Sequence, residues 1–276
     1  DHIQYVLSNN SGTSSIEGAT NITTDAVAFD VYDYTAGGYA VPTVNVSTTG
    51  KITGAIEVSE TATLNISAGT FTVEIAEAWC ADGFIPVKNA DDTWTVKEGK
   101  FIAQTETGAK FETLQEAVNA GTTVTLLGDA TGAGVVINKD VTIDFGGFTY
   151  TVNQAVGSAG TETLGFQILK NNTVTLMNGT LTSTAAVEGS KEIKMLIQNY
   201  ANLTLTDMNL VDNTDHILYA LSNNSGNVNL VDKTNITTDE VAFDVYDYSS
   251  AGYEVPTVNV NTTGIIDGKI EVSESI

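Results

Sequence analysis

The chain is 276 residues long, 42% apolar, and carries 34 acidic against 11 basic residues for a net charge of −23. Every basic residue is a lysine; such a surface repels nucleic acid and anionic membranes, and no apolar run reaches the roughly 18 residues a bilayer span needs. Cys80 is the single cysteine, which excludes an intrachain disulfide and leaves the core, or repetition, to hold the fold.

Thr, Asn, Gly, Val and Ile dominate the composition and Pro occurs three times. That mix favours short strands and Asn/Gly turns over long helices. Asp1 opens in mid-pattern, which reads as an interior segment of a longer secreted product. Residues 1–60 return at 215–274 with no gap and 42 of 60 positions identical, a constant offset of 214. The chain therefore reads as one period of a tandem array plus a 62-residue overlap, since chance does not give such agreement. The mismatches gather at 13–19, at 35–37 and at scattered polar or small positions, as expected of turns facing solvent.

Along the chain, Val44-Asn45-Val46 and Leu64-Asn65-Ile66 predict the first strands of a shorter internal period. Phe111 to Val118 places apolar residues (Phe111, Leu114, Ala117, Val118) at helical spacing and predicts one amphipathic helix, stopped by Asn119-Ala120-Gly121. Thr123 to Leu127 predicts a strand directly after it. Five similar segments follow: Val141-Thr142-Ile143, Val174-Thr175-Leu176, Leu203-Thr204-Leu205, Val228-Asn229-Leu230 and Val258-Asn259-Val260. They are separated by 33, 29, 25 and 30 residues. Further β runs lie between them at 166–169, 195–197, 217–220 and 242–245. Alternation puts Val, Leu and Ile inside and Thr, Asn and Asp outside.

Coils of 20–33 residues suit an all-β right-handed parallel β-helix, a solenoid in which each coil bonds to the next at about 4.8 Å. Immunoglobulin-like sandwiches, the rival all-β reading, need hairpins every 8–12 residues and modules of about 100 residues. A short helix at 111–118 would cap the open end of such a solenoid.

The runs Phe111 to Ala117, Thr123 to Asp129 and Val141 to Gly147 together resemble the opening of pectate-lyase-like β-helix modules of large bacterial surface proteins. Ile66 to Phe71, Trp79 to Val87 and Asp92 to Val96 look like the connector that closes such modules. The resemblance implies a cell-surface, adhesin-like or fibre-forming protein. It sets the expected domains: 1–75 as the last coils of one module, 76–99 as a connector hairpin, and 100–276 as the capping helix and coils of the next. A module of seven or eight coils would add roughly 35–40 Å of rod.

The same fold hosts pectin-cleaving enzymes, so catalysis has to be weighed. The lyases use a basic residue with Ca²⁺ on clustered aspartates, and this chain has no arginine. Hydrolysis needs paired carboxylates with basic or histidine support; the only histidines, His2 and His216, are equivalent positions of the long repeat. The best carboxylate pairs are Asp30 with Asp33 and Asp244 with Asp247, in the two copies of Asp-Val-Tyr-Asp-Tyr, expected on the outer face of one strand beside Tyr32, Tyr34, Tyr246 and Tyr248. With Tyr39 or Tyr253 they read either as a carbohydrate or loose Ca²⁺ site or as a turn packing its tyrosines on the wall. Asn-x-Ser/Thr occurs ten times, as a glycan-coated surface or as ordinary turn chemistry. Cys80 is expected to pack as a small apolar residue beside Trp79 and Trp94.

The expectation is thus an extracellular, non-enzymatic structural or adhesive repeat with no cofactor. Its partners would be neighbouring repeats, other chains of a filament, or surface glycans. The alternative is a polysaccharide-binding or polysaccharide-degrading protein.

Overall fold

The computed structural model describes residues 3–159 and 162–274; His2 lies outside them. The protein is all-β, with 56% of residues in strands and 6% in helical segments. It divides into two compact units, 1–100 and 101–276. Among the described residues no helix is long and apolar enough to cross a membrane.

In the second unit the chain visits three parallel ladders in turn and then returns to the first. The first ladder holds the five similar segments in register: Val141, Val174, Leu203, Val228 and Val258 are successive partners, as are Ile143, Leu176, Leu205, Leu230 and Val260. The second aligns Tyr150, Leu181, Leu210, Ile236 and Ile266. The third aligns Val135, Phe166, Ile197, Leu221, Phe243 and Ile270. Because strand side chains alternate in direction, stacking in register brings like residues together. The inward columns become one continuous apolar core, while Thr142, Thr175, Thr204 and Asn229 form an outward column between them.

The corner between the first and second ladders has its own chemistry. Asn178, Asp207 and Asp232 stand there on successive coils with φ of 60°, 50° and 56°, a left-handed backbone that Asn and Asp tolerate better than other non-glycine residues. Gly179, next to Asn178, admits no side chain, since a Cβ would lie 2.3 Å from Phe145 Cβ. In the first unit the equivalent of Asp232 is Gly18, again left-handed with φ 65°. This mismatch between the two copies thus preserves a backbone conformation.

The first unit repeats the pattern with Leu7, Phe29 and Ile56 in one column and Ile16, Val46 and Ile66 in another. One pair of equivalent residues differs sharply in burial. Val46, beneath the strand Thr63–Phe71, is 0% exposed, whereas its counterpart Val260 is 53% exposed.

The helix, α1, spans Leu114–Ala120. Phe111, expected inside it, belongs instead to the short strand Lys110–Phe111, paired antiparallel with Ala103–Thr105. The reason is Thr113: it is the N-cap, with its hydroxyl accepting from Glu116 N–H at 3.2 Å and donating to Glu116 Oε2 at 2.7 Å, a reciprocal arrangement that fixes the first turn after residue 113. Leu114, Ala117 and Val118 face the core, buried. In the first unit, Phe84–Lys88 and Trp94–Glu98 pair antiparallel as a hairpin.

Candidate functional site

The strands Ile22–Val31 and Asn235–Val245 both end inside Asp-Val-Tyr-Asp-Tyr, which separates the two acids of each copy. Asp30 is on the strand, in the outward column between Ser8 and Glu57. It is nonetheless buried and accepts from the Ser8 hydroxyl at 2.8 Å. Asp33 is past the strand end. Its carboxylate accepts from the Thr61 hydroxyl and from Thr35 N–H, and its own N–H donates to Ser59 Oγ at 3.1 Å. These bonds, Thr61's foremost, hold Asp33 below the usual carboxylate range. The expectation of two carboxylates on one strand face is therefore corrected: one is wedged between strands and the other organises a turn.

The later copy repeats the division. Asp247 donates its N–H to Ser273 Oγ and accepts from Ser249 N–H at 2.8 Å. Asp244 lies between Ser222 and Glu271. Burial pushes it up to about 6, against the pull of Ser222 and with Glu271 adding to the rise. Its Oδ1 is buried without a hydrogen-bond partner.

The tyrosines gather into rows. In the first unit Tyr32, Tyr34 and Tyr39 form a row with ring centroids 6.3 and 5.5 Å apart, and all three are exposed. In the second unit Tyr246, Tyr248 and Tyr253 repeat it at 5.8 and 5.7 Å. There the row gains a fourth ring, since Tyr200 on an earlier coil lies 5.2 Å from Tyr253. The loop carrying Tyr253 is fastened to the wall by Glu254 N–H, which donates to Ser225 Oγ at 3.0 Å. Lys170 places Nζ 5.4 Å from the Tyr253 ring centre. Tyr200, Tyr253, Lys170, Ser225 and Glu254 border a recess of about 210 Å³. Sequence reasoning missed Tyr200 and Lys170. They lie outside the duplicated segment, and the only signal was an aromatic residue directly after a third-ladder strand.

Behind the recess a buried asparagine rung stiffens the corner. Asn199 and Asn223 are partners on adjacent coils and both fully buried. Asn199 Nδ2 donates to Asn223 Oδ1 at 2.9 Å and to Ala201 O at 2.8 Å; Asn223 Nδ2 donates to Thr257 O at 2.9 Å. Asn9, the first copy of Asn223, donates likewise to Thr43 O at 2.9 Å. Two of the ten Asn-x-Ser/Thr sites are therefore spent inside the protein. Asn21 and Asn235 accept from Lys51 N–H and Ile265 N–H at 2.8 Å, so these too serve the turns.

Cys80 is half-buried, packed with Trp79 and Trp94 against the core of the first unit. Burial, with Glu77 nearby, pushes its thiol up to about 11, which makes it a poor nucleophile at neutral pH. At the start of the second unit, Glu106 accepts from the backbone N–H groups of Thr123 and Thr122 at 3.0 and 3.2 Å. These bonds lower it to about 2. Among the described residues no group of three or more His, Cys, Asp or Glu side chains is placed to hold a metal ion.

No family model matches the chain, and neither a curated protein nor a solved structure does. The recess beside Tyr253 presents aromatic faces, carboxamides, one amine and one carboxylate.

Proposed function

We propose that each unit is a right-handed parallel β-helix of the pectate-lyase-like kind, and that the chain is a structural and adhesive repeat of an extracellular surface fibre, stalk, sheath or filament. One observation carries the reading. Five segments spaced 33, 29, 25 and 30 residues apart stack in unbroken parallel register. A chain that returns to the same ladder after loops of unequal length is organised to propagate a stack. In this reading 1–75 ends one module, 76–99 connects, and 100–276 begins the next behind its capping helix. The acidic surface keeps such arrays soluble and apart.

The function is mechanical and non-catalytic, with neighbouring repeats as the first partners. It is tested by electron microscopy of chains carrying one, two and three 214-residue periods. Particle length should grow by a constant step per period at constant width. Particles that grow equally in all directions would overturn the proposal. A turnover screen on acidic polysaccharides with Ca²⁺ present should show no product.

A further inference from the structure

We propose that the recess bounded by Lys170, Asn171, Tyr200, Asn202, Tyr253 and Glu254 is a binding site for a neutral sugar, one pyranose ring or the terminal ring of a glycan. The inference goes beyond the mechanical reading and does not depend on it.

The site is built from separate coils. Lys170 and Asn171, Tyr200 and Asn202, and the Tyr253–Glu254 loop belong to different passages of the chain, brought together only by stacking. Its volume, about 210 Å³, is below the 300–1,000 Å³ range of pockets for drug-sized ligands, which limits the occupant to a small ring. Tyr200 and Tyr253 give it tilted aromatic walls 5.2 Å apart between centroids. The apolar face of a pyranose can lie on a tyrosine ring, while the hydroxyls around its edge require both donors and acceptors. Lys170 supplies a donor, Glu254 an acceptor, and the asparagine carboxamides both.

Other ligand classes fit less well. A cation would be drawn to an aromatic cluster beside a carboxylate, but Lys170 Nζ, 5.4 Å from the Tyr253 ring centre, repels a second positive charge there. An acidic sugar would approach against a net charge of −23. A Ca²⁺-bridged sugar needs a ligand cluster, and none exists among the described residues. The walls are also held in place beforehand. Glu254 N–H is fixed to Ser225, and Asn199, the residue before Tyr200, is bonded to Asn223. Little ordering is then left for binding to impose.

The first unit's equivalent of Tyr253, Tyr39, stacks on Tyr34 at 5.5 Å and is 57% exposed. It does not line the recess, whose aromatic walls are Tyr200 and Tyr253, and binding is assigned to that recess.

The test is saturation-transfer NMR on the 276-residue chain. The probes are the methyl glycosides of glucose, galactose, mannose and N-acetylglucosamine, with glucuronate and tetramethylammonium as acidic and cationic arms. At least one neutral glycoside should bind, with unchanged affinity in EDTA, and Tyr253→Ala should weaken it by about tenfold or more, the equivalent of about 1.4 kcal/mol. Tyr39→Ala should leave binding intact. Lys170→Met should weaken it without altering the unfolding midpoint, which separates recognition from folding. Binding of glucuronate or tetramethylammonium in preference to every neutral glycoside would overturn the proposal. So would the absence of any neutral binding, or binding that survives Tyr253→Ala.

Discussion

The carboxamide of Gln115 is paired to the backbone of Val136 as a neighbouring strand would be: Val136 N–H donates to Oε1 at 2.8 Å, and Nε2 donates to Val136 O at 3.0 Å. Val136 belongs to Val135–Ile137, the first strand of the third ladder, whose other side pairs with Leu164–Ile168. One side chain of α1 thus closes an edge that would otherwise present unpaired groups. Gln115→Leu should cost about 1–3 kcal/mol for each group left unpaired, read as a lower denaturation midpoint. The Val136 amide should exchange faster with solvent. Gln115→Glu, which keeps the acceptor and loses the donor, should fall between the two.

Asp244 sets a pH dependence. Its folded value, about 6, is above its ordinary value of 3.8, so the fold penalises the ionised form. The penalty is absent below pH 3.8, grows as pH rises to about 6, and is constant beyond. Asp244→Asn should therefore stabilise the protein at pH 7 by on the order of 2 kcal/mol. The gain should vanish below about pH 4. Thermal unfolding of both forms across this range measures it; a gain that persists at acid pH would refute the assignment.

Glu106 has the opposite sign. Its value falls from 4.5 to about 2, so the stability it contributes is complete above 4.5 and is lost as pH falls towards 2. Glu106→Gln should lower the melting temperature at neutral pH, and the difference from the unmodified chain should close near pH 2. The same titration series reads both acids.

The left-handed corner predicts an unusual order of substitutions. Asp232→Ala should destabilise by about 1–2 kcal/mol, because alanine resists that backbone region. Asp232→Gly should be nearly neutral, since Gly18 occupies the equivalent corner at φ 65°. Denaturant midpoints of the two variants decide it.

The ladder was legible in the sequence because stacking in register demands like residues at recurring positions. The Val-Thr-Ile and Leu-Thr-Leu segments announced themselves by composition and spacing together. The helix start was misplaced because Phe111 continues the apolar spacing, while Thr113 decides the boundary by hydrogen bonding. The acids of Asp-Val-Tyr-Asp-Tyr were misjudged because strand alternation was carried past Val31, where the strand ends. Tyr200 and Lys170 could not be joined to Tyr253 from sequence, since their proximity depends on loops of unequal length returning to one corner.

Val46 and Val260 share the same neighbours in sequence on their N-terminal sides, yet one is dry and the other wet. The difference is the coil that follows. Val46→Ala should cost core-like free energy, about 1–3 kcal/mol, whereas Val260→Ala should cost far less. An inward valine of this ladder is dry where a further coil covers it, as Thr63–Phe71 covers Val46.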